Sequence, residues 1–380
     1  MNNKTVYTPG PTNVSENVRQ ARSIKTTNPD IDLEFVEFYK DTCDEIGKVI
    51  GTKNDVYLLC GEGILGLEAA CASLIEKGDR VLVIDNGIFG NGFKDFVSMY
   101  GGEVTLFSKS HKNCINVDEL ESFLEKDNDF KFATIVHCDT PTGVLNDLST
   151  ICPMLKKYNI LTVVDSVAAM FGEKILIDDW KVDIALGGSQ KALSAHPGLT
   201  IVSLSEEAKA SIKSRNKDIV GFYCNLSIWE SYYKNKSFPY TMPISDIVSL
   251  RKALDNIIEE GIENVINRHA KIAKATRDAL VEYGLKLFIE KGFSNTVTAI
   301  EIPSEIGSLN LTNYILNKYN LVIGTSLGEY KNSILRLGHM GENARLEKII
   351  YILNIIDLSL KDLGFNGNGS LVNLFNKHYK

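Results

Sequence analysis

Short runs of apolar and β-branched residues recur through the first half of the chain, separated by segments whose apolar residues have helical spacing. This alternation predicts strands joined by crossover helices, the arrangement of a mainly parallel sheet with helices on its faces. Between residue 56 and about residue 205 it predicts seven strands, in the runs VYLLCG, RVLVIDNG, EVTLFS, FATIVHCDT, LTVVDSV, VDIALGG and GLTIVSLS.

The connection between the last two runs is short. It holds about a dozen residues, around Lys191, Pro197 and Gly198. Because parallel strands need a longer connection, usually one with a helix, we expect the seventh strand to run antiparallel.

The second half of the chain has a different pattern. A long helical pattern begins at Ile244, is interrupted at Gly261, and is predicted to connect two domains. Beyond it, TVTAIEIP and SILRLGH predict short strands, and LTNYILNKYN and ARLEKIIYILNIIDLSLKDL predict amphipathic helices. We expect an N-terminal arm (residues 1–18), a large α/β domain (19–255) and a smaller α+β domain (256–380). Its Gly/Asn-rich tail, GFNGNGSLVNLFNKHYK, is expected to be loosely held.

Composition narrows the class of protein. With 380 residues, 44% apolar, the chain can build the cores of a large and a small globular domain. A net charge of -7 without a long basic run argues against nucleic-acid binding and against an anionic membrane surface. No apolar run approaches the roughly 20 residues of a membrane span, and the start MNNKTVYTPG lacks a signal-peptide core, so cytoplasmic residence is the expectation. Seven scattered cysteines argue against a disulfide framework and against a metal site.

A carboxylate and an amine stand at the ends of two consecutive predicted strands. Asp165 ends the run LTVVD, and Lys191 follows VDIALGG and a short turn. Because parallel sheets bind ligands at the carboxyl ends of their strands, we expect both side chains at one site. Pyridoxal phosphate chemistry needs a lysine to hold the aldehyde as a Schiff base and a carboxylate to keep the pyridine nitrogen protonated. Asp165 and Lys191 are suited to these roles, although such residues alone are more often a helix cap and a surface lysine.

The sequence around this pair is similar to a known family. DSVAAMFG followed by GGSQKALSAHPGL resembles the class V aminotransferases, which are fold type I pyridoxal phosphate enzymes, and especially their alanine-glyoxylate and serine-pyruvate aminotransferase branch. The resemblance includes YTPGPTNVSENVRQA, GEGILGLEAACASLIEKGDRVLVIDNGIFG, HCDTPTGVLND and ILRLGHMGEN. It implies a fold type I PLP-transferase: an α/β large domain with a mainly parallel seven-stranded sheet, and a smaller α+β C-terminal domain.

One turn is a natural phosphate site, because Glu62, Gly63 and Ile64 stand between a predicted strand and a helix N-terminus. The resemblance implies that this turn and Gln190 bind the phosphate of pyridoxal 5'-phosphate. Glu62 departs from the family, which more usually has a small hydroxyl residue there. Its carboxylate would repel a phosphate unless the side chain turned away.

The resemblance also assigns residues to the pyridine ring. It implies that Phe89 stacks on one face and Val167 contacts the other. Thr140 matches the hydroxyl that contacts the phenolic oxygen, with Thr142 as a second candidate. Asp139 stands where glutamate is commoner.

Other matching positions concern a second subunit and the substrate. Thr241 matches a threonine that reaches the phosphate from the neighbouring subunit, which implies a homodimer. Phe238 replaces a tyrosine of some relatives, so the phosphate site is either weaker or completed by Tyr240. Arg336 matches the arginine that binds the substrate carboxylate, a task suited to its planar fork. We expect residues 28–40 to line the entrance of the active site. His339, three residues after Arg336, is expected to be a packed residue without a role in binding.

The implied function is an aminotransferase with a Lys191 Schiff base, moving an amino group from alanine or serine to glyoxylate or pyruvate. Ureidoglycine or an aminophosphonate remain open as donors. A lyase of the cysteine desulfurase type is the alternative, but it needs a nucleophilic cysteine before the carboxylate arginine, and LVIGTSLGEYKNSILRLGHMG has none. A non-catalytic sensor is a third hypothesis, disfavoured by the joint presence of Asp165, Lys191 and Arg336.

Overall fold

The computed structural model describes residues 4–380, so the first three residues of the predicted arm lie outside the described part. The strands are β1 (Thr5–Val6), β2 (Asp55–Cys60), β3 (Arg80–Asp85), β4 (Glu103–Ser108), β5 (Phe132–Val136), β6 (Cys138–Asp139), β7 (Val144–Leu145), β8 (Leu161–Asp165), β9 (Ile184–Gly188), β10 (Leu199–Leu204), β11 (Lys286–Leu287), β12 (Thr298–Glu301), β13 (Leu321–Val322), β14 (Gly324–Thr325) and β15 (Ile334–Leu337). The helices are α1 (Glu16–Arg22), α2 (Leu33–Val49), α3 (Gly63–Leu74), α4 (Ile88–Met99), α5 (Val117–Leu124), α6 (Leu148–Lys157), α7 (Glu206–Lys213), α8 (Tyr232–Asn235), α9 (Ile244–Glu260), α10 (Ile262–Tyr283), α11 (Ser308–Tyr319), α12 (Leu346–Asp362) and α13 (Leu371–His378). In residues 4–380 no helix combines the length and the hydropathy that a membrane span requires.

A seven-stranded sheet forms the centre of the molecule, in the order β2-β10-β9-β8-β5-β3-β4. These are the seven predicted strands, and β10 pairs antiparallel with both β2 and β9, as its short connection predicted. The other pairs are parallel. Strands β5, β9 and β10 are buried along their whole length, as expected for a sheet covered on both faces. The α/β fold class is confirmed.

The carboxyl ends of β8 and β9 place the candidate pair at one edge of this sheet. Asp165 is the last residue of β8, and Lys191 follows the end of β9 by three residues. Helices α3 and α4 begin directly after β2 and β3, so their N-termini lie at the same edge. The sheet therefore brings two helix N-termini, a carboxylate and an amine together.

A second hydrophobic core lies in the C-terminal part of the chain. The long predicted helix consists of α9 and α10, which meet at Gly261 as expected. Beyond it, an antiparallel sheet of order β11-β12-β15-β14 packs with α11 and α12 around residues from Ile272 to Phe375. The predicted division at residue 255 stays a prediction, and the existence of two cores supports it.

The N-terminal segment connects the two cores. Its strand β1 pairs in parallel with β13, and the hydroxyl of Tyr7 donates to the carbonyl of Asn343, 2.5 Å away. A few residues later, the Thr12 amide donates to the carbonyl of Gln190 at 3.0 Å. The segment thus runs from the smaller sheet to the edge where Lys191 lies.

The expectation of a loosely held tail was wrong. Residues 371–378 form helix α13, which packs against α10 and α12, and Leu371 and Phe375 are fully buried. At its end, His378 and Glu282 form a hydrogen bond of 2.7 Å. The glycines, Asn366 and Asn368 belong to the connection that precedes the helix, whereas Asn373 and Asn376 lie within it. The apolar spacing of Leu371 and Phe375 was the better signal, because it matches one helix face.

We expect Phe375→Ala to lower the free energy of unfolding by about 3–5 kcal/mol, because the substitution leaves a cavity in the second core. Urea denaturation followed by circular dichroism measures this effect. Asn376→Ala, at an exposed position of the same helix, is the control and should change stability by less than about 1 kcal/mol. Equal denaturation midpoints for Phe375→Ala and the unmodified protein would show that α13 is not part of the core.

Candidate active site

A cavity of about 320 Å³ opens at the carboxyl edge of the central sheet. This volume is in the usual range for a small-molecule site. The cavity contains most of the predicted site residues: Glu62, Gly63, Ile64, Phe89, Thr140, Asp165, Val167, Gln190 and Lys191. Arg336 lies beside the cavity, next to Thr140, and Thr241 is not among the residues of this chain that line it.

Lys191 is held by the N-terminal segment. Its Nζ donates to the carbonyl of Pro9 at 2.8 Å. Gly10 has φ +99° in this turn, a conformation that favours glycine, and a Cβ atom there would lie 2.4 Å from Cδ of Lys191 and displace that side chain. Burial, helped by the charge of Arg336, lowers the pKa of Lys191 to about 8. About a tenth of the amine is therefore neutral, and nucleophilic, at pH 7, far more than for an ordinary lysine.

Asp165 presents a carboxylate oxygen to the cavity. Its Oδ1 accepts a hydrogen bond from the Val167 amide at 2.9 Å, and no described residue donates to its other oxygen. Burial raises the pKa of this carboxyl to about 7, against the opposing effects of the Val167 amide and of Lys191. A buried carboxylate with a free oxygen suits a ligand that offers a charged N–H group.

Two apolar side chains line the cavity near these groups. Val167 packs against Gly63, where a Cβ atom would lie 2.8 Å from Val167 Cγ2. Phe89 stands in the first turn of α4, and its amide donates to Oδ1 of Asp139 at 2.8 Å. The cavity therefore offers both an aliphatic and an aromatic surface to a flat ring.

Asp139 is fully buried and organises the neighbouring turn. Its Oδ2 accepts a hydrogen bond from the hydroxyl of Thr142 at 2.8 Å. The Thr142 hydroxyl is thus already used, whereas Thr140 lines the cavity and its hydroxyl makes no hydrogen bond to a described residue. Burial raises the pKa of Asp139, and the Phe89 amide opposes that shift. Of the two predicted threonines, the structure places Thr140 at the site.

The Glu62 carboxylate lies on the N-terminus of α3. Its Oε1 accepts from the Ile64 amide at 3.0 Å, and its Oε2 accepts from Nε2 of Gln190 at 3.1 Å. The side chain therefore does not turn away from the predicted phosphate turn. Oε1 of Gln190 is buried and has no hydrogen-bond partner among the described residues.

Arg336 lies in β15, next to the cavity. Its Nε donates to the carbonyl of Thr325 at 2.7 Å, and its Nη1 donates to the carbonyl of Thr140 at 3.4 Å. Burial lowers the pKa of the guanidinium to about 10, while the charge of Asp139 opposes the shift. The group stays positive at neutral pH and makes no salt bridge within residues 4–380, so its charge is available to an anionic ligand.

The positions expected at a subunit interface lie outside the cavity of their own chain. Thr241 is exposed, and its hydroxyl donates to Asp30 at 3.2 Å. Phe238 packs in an aromatic cluster, with its ring centroid 5.0 Å from that of Tyr39. The Tyr240 hydroxyl accepts from the Cys60 amide, just before the phosphate turn, at 3.5 Å. None of residues 28–40 lines the cavity of the same chain, so their predicted place at the entrance stays a prediction.

Sequence reasoning did not assign several cavity residues: Gly10, Pro11, Leu67, Cys138, Ala168 and Pro197. Gly10 and Pro11 belong to the stretch YTPGPTNVSENVRQA, and its resemblance to the family was the signal that could have identified them. Burial raises the pKa of Cys138 to about 12, so its thiol is protonated and a poor nucleophile. His339 is fully buried, as expected, and its Nε2 bonds the hydroxyl of Thr298 at 2.7 Å.

Comparison with known proteins agrees with this geometry. The family model described as aminotransferase class-V matches residues 13–331. An uncharacterized aminotransferase of Methanocaldococcus jannaschii is 35% identical over 95% of this chain and 94% of its own length. The alanine–glyoxylate aminotransferase of Drosophila melanogaster is 30% identical over 94% of this chain and 92% of its own. The crystal structure of ureidoglycine–glyoxylate aminotransferase of Bacillus subtilis is similar at a TM-score of 0.95, with 27% identity over 100% of this chain and 98% of that one. The chain belongs to the class V aminotransferase family and is a pyridoxal 5'-phosphate-dependent transaminase.

Proposed function

We propose that the protein transfers the amino group of a small amino acid, of the alanine or serine type, to a small 2-oxo acid such as glyoxylate or pyruvate. Lys191 and Asp165 are the catalytic residues. The observation that carries this proposal is their arrangement: a lysine with a lowered pKa shares one cavity with a buried carboxylate that keeps a free oxygen. Relatives that transfer amino groups to glyoxylate support the choice of acceptor.

The cavity residues suit the ring of the cofactor. Asp165 has a free oxygen for the ring nitrogen, Thr140 a free hydroxyl for the phenolic oxygen, and Phe89 and Val167 offer apolar surfaces. When bound, pyridoxal phosphate supplies an aldehyde for Lys191 and a ring that accepts electrons. The amides of Gly63 and Ile64, with Gln190, are the proposed phosphate site, where a phosphate meets the Glu62 carboxylate that already accepts from Ile64 and Gln190.

Lys191 has two tasks in this proposal. Its neutral Nζ would hold the cofactor through the aldehyde carbon, with release of water. When the amino donor takes that place, Nζ would be the base that accepts the proton from the donor's α-carbon. The Pro9 carbonyl, 2.8 Å from Nζ, keeps the amine at the cavity wall. The lowered pKa of Lys191 provides the neutral amine that both tasks need.

Arg336 is the proposed carboxylate site for donor and acceptor, because its guanidinium is charged, unpaired with any carboxylate of residues 4–380 and adjacent to Thr140. We expect Arg336→Gln to raise the KM for the amino donor by roughly 30- to 150-fold, since a charge-assisted hydrogen-bond pair contributes about 2–3 kcal/mol. Steady-state kinetics with varied donor measures this change. Binding of pyridoxamine 5'-phosphate should change less than threefold. An unchanged KM would remove Arg336 from the substrate site.

Product analysis tests the proposed reaction. The purified protein is incubated with cofactor, alanine or serine, and glyoxylate or pyruvate, and the products are separated by mass. Formation of the amino acid that corresponds to the 2-oxo acid supports amino transfer. Cleavage of the donor without a new amino acid would support the lyase alternative, against which the buried protonated thiol of Cys138 already argues.

We further infer a homodimer with active sites at the subunit interface. A surface of exposed apolar residues adjoins the positions expected there: Ile31, Leu33, Val220, Phe222 and Tyr223. The Tyr223 ring stacks on Tyr240 with centroids 4.5 Å apart, and Tyr240 contacts Cys60 beside the phosphate turn. An exposed apolar surface of this kind favours association with a second copy.

Sedimentation equilibrium tests the dimer, with an expected mass twice the chain mass of 42.1 kDa. Val220→Asp combined with Phe222→Asp should shift the protein toward monomer. A monomer at micromolar concentration without these substitutions would contradict the inference. Residence in the cytoplasm stays a prediction.

A further inference from the structure

Glu62 uses the hydrogen-bond donors that a phosphate needs. The Ile64 amide at the start of α3 and the side-chain amide of Gln190 both donate to its carboxylate, at 3.0 and 3.1 Å. All three residues line the cavity. A helix N-terminus attracts anions because its amides are unpaired and its dipole is positive there. In this protein the chain itself provides the anion.

The charges of the cavity make two anions at this position unfavourable. Among the described residues that line the cavity, Lys191 is the only cation, while Glu62 and Asp165 are acidic. A phosphate monoester would add a further charge of about −1.5 to −2 at neutral pH. It must either displace the exposed Glu62 carboxylate into solvent or bind beside it. Both routes reduce the affinity that the phosphate contributes.

We propose that Glu62 is a specificity-determining residue that competes with the cofactor phosphate for the N-terminus of α3. The phosphate then contributes little to binding, and pyridine vitamers without a phosphate enter the same pocket with similar affinity. This inference rests on the proposed function, because it assumes that the ring binds at Asp165 and Lys191. It adds a ligand class, the unphosphorylated vitamers, to that function.

The test compares pyridoxamine with pyridoxamine 5'-phosphate, two probes that differ only in the phosphate and form no bond with Lys191. Their dissociation constants are measured by ligand fluorescence on the cofactor-free full-length protein. For the unmodified protein we expect constants within about threefold of each other. Glu62→Gln should tighten the phosphorylated probe by at least about tenfold, because it removes the repelling charge. Pyridoxamine should change less than twofold.

Two further variants complete the design. Glu62→Ser keeps a helix N-cap without a carboxylate and should reproduce the effect of Glu62→Gln. Glu305→Gln removes the same charge at an exposed position outside the cavity and should change neither constant. The proposal would be overturned if pyridoxamine 5'-phosphate bound the unmodified protein 100-fold more tightly than pyridoxamine. It would also be overturned if Glu62→Gln and Glu62→Ser left the ratio of the two dissociation constants unchanged. In both cases ring binding persists, so the proposed function stands. If neither probe bound, both the proposal for Glu62 and the proposed function would be overturned.

Discussion

Replacing Lys191 by alanine is expected to lower kcat by at least about 10⁴-fold, the largest effect of any substitution in this protein. In the proposed mechanism the variant loses both the nucleophile for the aldehyde and the base for the α-proton, and a positioned base alone contributes about 10²–10⁴-fold. Product formation from alanine and glyoxylate, followed over hours, measures the remaining rate. Binding of pyridoxamine 5'-phosphate should persist, because the other cavity residues remain.

A pH series on the unmodified protein provides an independent check of Lys191. Only the neutral amine attacks an aldehyde, and burial lowers the pKa of Lys191 to about 8. The rate at which the cofactor-free protein captures pyridoxal phosphate should therefore rise with pH and level off above about pH 8. Lys181→Ala, a change at a lysine outside the cavity, is the matched control and should keep full capture. Turnover by Lys191→Ala at a tenth of the normal rate or more would refute the catalytic assignment.

Asp165→Asn is expected to lower kcat by roughly 10²- to 10³-fold, because it removes, in a buried site, the charge that we propose for the ring nitrogen. The amide can still accept the hydrogen bond of the Val167 amide, so the local fold should be kept. Single-turnover reaction of the loaded enzyme with alanine separates this chemical step from product release.

Asp218→Asn, at an exposed position, is the control for the loss of one carboxylate. It should react at the normal rate. If Asp165→Asn also reacted at that rate, the ring nitrogen would not depend on Asp165. A slow reaction that returned to normal with a strongly electron-withdrawing cofactor analogue would instead support the assigned role.

The central sheet and the position of Asp165 and Lys191 at its edge were predictable because the signals are local. Each β-rich run was long enough to show a strand, and Asp165 follows such a run directly. The short connection around Lys191 was enough to predict the antiparallel direction of β10. The tail was assigned wrongly, because its Gly/Asn content received more weight than the apolar pair Leu371 and Phe375.

The remaining features of the site depend on contacts between distant parts of the chain. The Pro9 carbonyl reaches Lys191 across 182 residues, and no local pattern signals that approach. The orientation of Glu62 depends on Gln190, 128 residues away. The choice between Thr140 and Thr142 depended on Asp139, whose burial became visible only in the fold. A sequence identifies such residues as candidates, and packing decides which way their side chains face.

The most direct test of the account is the visible absorption spectrum of the purified protein with pyridoxal phosphate, recorded before and after addition of L-alanine without any 2-oxo acid. We expect a band from the cofactor bound to Lys191, and its conversion by alanine to the band of pyridoxamine phosphate, with one equivalent of pyruvate released. A protein that forms no lysine-bound band would contradict the assignment of Lys191. A band that no small amino acid converts would contradict the proposed amino transfer.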